Sequence, residues 1–165
     1  MNEFELIDRL RPLLPTNSQV VVGAGDDCAV LAPGLPDQWL LFKTDAVVEG
    51  VHYVPGTEPE KIGHKALARC LSDIAAMAGR PTSALVTLAL PVEFDPSWVE
   101  SVYRGMKRLA ERFGVAIVGG ETTLSPGRVL IAVTVLGTVD KKRCLLRSGA
   151  RAGDAIFVTG NTVVD

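Results

Sequence analysis

Only three cysteines occur in 165 residues, and Cys28, Cys70 and Cys144 are widely spaced with no Cys-x-x-Cys pair. A disulfide framework and a zinc knuckle are thereby excluded, and a reducing, cytoplasmic setting is expected. Basic residues are also sparse in clusters: beyond Lys141-Lys142-Arg143 there is no Lys/Arg block, and 17 basic against 19 acidic residues leave a net charge of −2. A surface that follows nucleic-acid phosphates needs concentrated positive charge, so no nucleic-acid partner is expected. Long apolar runs are missing as well. The longest, around 84–92, is too short to span a bilayer. Residues 1–5 are acidic and lack the basic and hydrophobic regions of a signal peptide, so no membrane association is expected. With 47% hydrophobic and only 22% charged residues, disorder is excluded. A chain of this length suits one domain that buries roughly 70% of its unfolded surface.

What is present reads as short elements separated by many of the 16 glycines and 10 prolines. Phe4, Ile7, Leu10 and Leu14 recur at helical steps and predict an amphipathic first helix, lying on the domain and ended by Pro15. Three strands follow at 20–22, 28–32 and 39–44. Thr57-Glu-Pro-Glu60 has the form of a capping box that opens a helix with the stripe Ile62, Ala66, Cys70, Ile74 and Met77, closed by Gly79 and Pro81. A buried strand is expected at 84–90. Asp95-Pro96 then caps a helix with Val99, Val102, Met106, Leu109 and Phe113 on one face, and Gly114 takes its C-terminal cap. Strands at 115–118 and 129–139 flank a Gly119-Gly-Glu-Thr-Thr123 loop, and 155–159 begins another strand. The order predicts an α+β sandwich, a mostly antiparallel or mixed sheet packed by helices, with an inner part like a split β-α-β unit.

Four acidic stretches punctuate these elements: Gly23-Ala-Gly-Asp-Asp27, Lys43-Thr-Asp45, Leu71-Ser-Asp73 and Gly119-Gly-Glu-Thr-Thr123. Glycine admits close approach of a phosphate, and a hard cation such as Mg²⁺ takes carboxylate and hydroxyl oxygens, so the pattern suits a metal and phosphate site. Each stretch also has a plainer reading. The first is ordinary hairpin chemistry, and it lacks the third glycine of a dinucleotide fingerprint. Asp73 lies beside the apolar stripe and requires a partner, which Lys65 or Arg69 could supply instead of a metal. Thr44-Asp45 followed by Glu49-Gly-Val-His52 could be a bland loop, with His52 a surface histidine, and His64 reads as structural. Gly119-Gly-Glu-Thr-Thr123 is a phosphate nest with an acid or a Gly-rich turn, and Arg147-Ser-Gly-Ala-Arg151 a phosphate clamp or a basic turn.

Taken together, Gly-x-Gly-Asp-Asp-x-Ala-Val-Leu at 23–31, Lys-Ala-Leu-Ala-x-x-Leu-Ser-Asp-x-Ala-Ala-Met at 65–77, Gly-Gly-x-Thr-Thr at 119–123 and Arg-Ser-Gly-Ala-x-x-Gly-Asp at 147–154 resemble the thiamine-monophosphate kinase family. That family belongs to the aminoimidazole ribonucleotide synthetase-like ATP-binding superfamily. The resemblance runs from about Phe4 to Gly160. It implies transfer of the γ-phosphoryl of ATP to thiamine monophosphate with several Mg²⁺ ions, in a homodimer formed through the sheets of two copies. It further implies that Asp27, Thr44, Asp45, Asp73 and Glu121 hold magnesium, that Gly120, Glu121 and Arg147 contact ATP, and that His52 touches the substrate. Asp26 and Lys43 are implied as supporting neighbours. Two positions depart from the family pattern: Glu121 stands for an aspartate, and Lys43 for a serine or threonine that ligates metal. Family members continue into a second α/β domain, so 1–153 is expected to form the N-terminal ATP- and Mg-binding domain and 154–165 to open or truncate the next one.

Overall fold

The computed structural model describes residues 3–157. A first helix, α1 (Glu3–Leu10), runs into a 3₁₀ turn at Arg11–Leu13. Then come β1 (Val20–Val22), β2 (Ala29–Leu31), β3 (Gln38–Val48), α2 (Pro59–Ala76), β4 (Arg80–Leu90), α3 (Pro96–Phe113), β5 (Ala116–Leu124) and β6 (Leu130–Asp140). The six strands form one sheet in the order β1-β2-β3-β6-β4-β5. Only β4 and β5 pair in parallel, joined by the α3 crossover; the other neighbours are antiparallel. The expected α+β class and element order are observed.

Period-two alternation decides what each face of this sheet carries. Leu41 and Val47 of β3, Ile131, Val133 and Val135 of β6, and Val86, Leu88 and Leu90 of β4 point toward the helices and are buried. From α2 they meet Ile62, Ala66, Cys70, Ile74 and Met77, every one of them buried as the predicted stripe requires. Among the described residues no helix covers the opposite face, and Phe42, Leu85, Leu136 and Val118 are exposed there. α3 packs on α2 through Val102, Met106 and Leu109. The two helices cross at Gly63 and Gly105, where an added Cβ would lie 1.9 Å from the Val102 and Glu60 carbonyl oxygens respectively. Only glycine permits that backbone contact.

Several boundaries differ from expectation. α2 has no side-chain cap, because Thr57 donates its hydroxyl to the Val54 carbonyl and Glu60 is taken by Arg104 and Arg108 of α3. The helix ends with Ala78, not a glycine, in the left-handed region at φ 60°. Asp95 and Gly114 do cap α3 as predicted, but Phe113 at its end is 51% exposed, outside the core. Strand β3 runs four residues past Thr44, so Thr44 and Asp45 are strand residues. β5 likewise runs straight through Gly119-Gly-Glu-Thr-Thr123, which is therefore edge strand and not loop. The strand expected at 155–159 is absent over 155–157, and its remainder lies outside the described residues. No helix among the described residues is long and apolar enough to cross a membrane.

Candidate functional site

Alternation along β3 sends Lys43 and Asp45 to the helix side with Leu41 and Val47, and Thr44 to the other. Asp73 of α2 reaches the same spot. Lys43 Nζ lies 2.5 Å from Asp73 Oδ2 and 3.8 Å from Asp45 Oδ1, with all three side chains less than a quarter exposed. Burial works against the ammonium charge, yet the Asp73 hydrogen bond and the Asp45 and Asp73 charges outweigh it and raise the Lys43 pKa. Neither alternative partner read from the sequence serves Asp73. Arg69, one turn earlier, has its Nε 3.6 Å from Asp45 Oδ2, and Lys65 donates to the His52 carbonyl. The Arg69 Nε is buried without a hydrogen-bond partner, since its distance to Asp45 is ionic only.

A second acidic pair closes the group from the sheet edge. Asp26 Oδ1 accepts the Asp27 N–H at 2.9 Å, which tightens the turn between β1 and β2. The segment after β6 folds back over it: the Arg147 N–H donates to Asp26 Oδ2 at 3.2 Å, and its guanidinium grips Asp27 Oδ1, with Nε at 3.1 Å. The hydrogen bond and charge of Asp27 hold Arg147 even more firmly protonated than usual. Beneath the carboxylates lie two buried thiols. Burial, reinforced by the charge of Asp73 on Cys28 and of Asp45 on Cys70, pushes both up to about 12, so neither is a thiolate nucleophile at neutral pH. Cys70 donates to the Val133 carbonyl, and the Cys28 N–H to Met77 Sδ, both at 3.1 Å.

Above this centre runs an open groove of about 380 Å³ lined by Asp45, Lys65, Ala68, Arg69, Ser72 and Asp73. Lys65 ties the segment carrying His52 to this groove by donating to the His52 carbonyl. The Val48 N–H donates to His52 Nδ1 at 3.0 Å, which places the proton of the neutral ring on Nε2. Lys65, Arg69 and Ser72 were not singled out as functional from the sequence. Their spacing along α2 with Asp73, which puts polar groups on one face of a helix otherwise rich in buried residues, is the signal that could have found them.

The other predicted residues stand apart. Thr44 donates to the Val133 carbonyl at 3.3 Å and accepts from Thr134 at 3.0 Å on the open face. The register aligns Asp45 with Val133, Val86 and Gly120, and Ala46 with Ala132, Thr87 and Glu121. Gly120 therefore sits three strands from Asp45, roughly 14 Å at ordinary strand spacing. Glu121, paired with Thr87, points to the open face, where its Oε1 accepts the Thr122 N–H at 3.0 Å. Gly120 is held by contact: an added Cβ would lie 1.7 Å from the Val86 carbonyl oxygen. Among the described residues no three His, Cys, Asp or Glu side chains converge at ion-holding distance. The donors are nonetheless hard oxygens, the kind Mg²⁺ takes, and cations now fill the spaces between them.

The thiamine-monophosphate kinase of Bacillus subtilis is 40% identical over 161 residues, which are 97% of this chain and 49% of that protein. Among solved structures, AaThiL complexed with AMPPCP and TMP superimposes with a TM-score of 0.80 at 36% identity, over 90% of this chain and 45% of that one. Thiamine monophosphate kinase from Aquifex aeolicus gives 0.75 at 35%, over 91% and 46%. The chain thus spans about half the length of the relatives it matches. The family described as AIR synthase related protein, N-terminal domain, matches residues 25–139, from the Asp26-Asp27 turn to the end of the sheet. With strands β2 to β6, the two crossing helices and the acidic strand ends inside that match, the chain belongs to the AIR synthase related family and carries the N-terminal domain.

Proposed function

We propose that this chain is the nucleotide- and metal-binding part of a thiamine-monophosphate kinase, which transfers the γ-phosphoryl of ATP to thiamine monophosphate. The observation that carries it is Lys43 standing between Asp45 and Asp73 beside a groove edged by Lys65 and Arg69, with the Asp27–Arg147 pair close by. The similar protein solved as a complex with AMPPCP and TMP supports it. Asp27, Asp45 and Asp73 would hold Mg²⁺, which when bound supplies charge neutralisation at the transferred phosphoryl group. The acceptor is itself an anionic phosphate at neutral pH, so no Ser/His pair is required to activate it. Lys65 and Arg69 line the groove with positive charge for phosphate oxygens, Arg147 closes its acidic edge, and His52 presents an Nε2–H to the substrate. Asp26 braces Asp27 through the turn. For Thr44, Gly120 and Glu121 as metal or ATP contacts, the motif resemblance is the only support.

The exposed apolar face of the sheet supports a homodimer in which two such faces meet, and three unpaired cysteines fit a reducing, cytoplasmic setting. Residues 1–153 form the binding domain in this reading, and 154–165 lead into a second one. The test is Mg-dependent ATP binding by calorimetry together with a coupled assay on thiamine monophosphate. Binding that disappears in Asp45→Asn and Asp73→Asn supports the kinase reading; binding that these changes leave intact overturns it. A second reading, a non-enzymatic ATP/Mg-binding or dimerisation module, is favoured by the open apolar face of the sheet. Nucleotide binding without any turnover, even with the second domain supplied, would select it.

A further inference from the structure

Four carboxylates and three cations share this centre: Asp26, Asp27, Asp45 and Asp73 against Lys43, Arg69 and Arg147. Asp45 and Asp73, matched by Lys43 and Arg69, already sum to zero. A divalent ion added there meets no surplus negative charge. Of the two cations, Arg69 touches only Asp45, at 3.6 Å, whereas the Lys43 ammonium stands between both carboxylates at 3.8 and 2.5 Å. Two carboxylates facing one cation across a few ångströms is also what a hard divalent ion occupies. Lysine is suited to yield such a position, because its ammonium is a compact charge on a flexible four-carbon stem, unlike the rigid fork of arginine.

Resting on the function proposed above, we infer that Lys43 is a resident, displaceable cation that holds the Asp45 and Asp73 carboxylates together and competes with a divalent metal ion for them. Metal entry turns the ammonium out of this position. The groove opens directly above, so the displaced charge has the phosphate oxygens of a bound polyphosphate as its new partner. Metal and nucleotide then bind with strong mutual enhancement, since each removes a cost that the other meets alone. Lys43 would thereby keep the site from filling with metal in the absence of nucleotide.

The experiment is titration of nucleotide-free protein with Mn²⁺, followed by paramagnetic resonance and calorimetry, on wild type, Lys43→Met, Lys43→Arg and Lys43→Met/Asp73→Asn. The competition predicts Mn²⁺ affinity at least roughly tenfold higher in Lys43→Met, an affinity below wild type in Lys43→Arg, whose rigid fork yields the position less readily, and loss of the gain in the double variant. Mn²⁺ affinity in folded Lys43→Met equal to or below that of wild type overturns it. Far-ultraviolet dichroism establishes folding, and Lys43→Gln replaces the methionine variant if that one does not fold. Mg·ATP binding by the wild-type protein, measured in parallel, separates the two readings. If it is present and sensitive to Asp73→Asn while Lys43→Met gains nothing, only the competition falls. If Asp73→Asn has no effect on it, the metal site itself falls.

Discussion

Asp45 and Glu121 stand on strands of the same sheet, and the chain secures them in opposite ways. Asp45 faces the helices, is mostly buried, and lies between Lys43 and Arg69 above a floor of Cys70 and Val133. Glu121 faces open solvent from an edge strand, with only the N–H of the next residue to hold it. Core packing has already organised the first, charge by charge. The second owes its position to backbone alone, which is how a group waiting for a surface outside this chain would be placed.

The sharpest way to break that contrast is at Gly120. A valine there drives its side chain into the Val86 carbonyl, so Gly120→Val should separate β5 from β4 and lower stability by about 3 kcal/mol or more, read by urea unfolding. Next comes the inner site. Asp73→Asn leaves a largely buried ammonium without its nearest carboxylate, and a loss of about 1–3 kcal/mol is expected by the same measurement. Alkaline pH probes the floor under that site. Cys28 and Cys70 keep their protons to about 12 when folded, whereas exposed thiols lose them near the ordinary value of 9.0. Protons are thus lost first from the unfolded chain, and stability should fall steadily as pH rises from 9 towards 12, with Cys28→Ser/Cys70→Ser reducing that slope. The smallest effect is expected on the outer side. Glu121→Gln should change the melting free energy by less than about 0.5 kcal/mol, so any larger loss would show that Glu121 is not merely a strand residue on an open face.

The face of α2 and most of that of α3 were legible because burial repeats with helical period: the Ile62-to-Met77 stripe and the Asp95 cap are observed as read, whereas the first helix ends at Leu10, short of Leu14, and Phe113 is exposed. Strand ends were not. Thr44, Asp45 and the two glycines look like loop chemistry locally, and only pairing with β6 and β4 keeps them extended. The site was legible as a set of acids but not as a geometry. That Lys43 takes Asp73 while Arg69 takes Asp45 depends on a strand and a helix about thirty residues apart, a relation that spacing along either element does not contain. Glu60 teaches the same lesson in reverse. Its capping-box position is a local pattern, and two arginines from the neighbouring helix override it.

The glycine crossing of α2 and α3 reaches further than the core it packs. Asp73 lies ten residues beyond Gly63, about 15 Å along the same helix axis. Because the backbones touch at Gly63 and Gly105, that crossing acts as a fulcrum and the rest of α2 as its lever arm. A single methyl group at the fulcrum would tilt the arm and shift its tip relative to β3. The spacing of the charged centre is thus calibrated by two residues with no side chain and no charge, far outside any shell of contacts drawn around it.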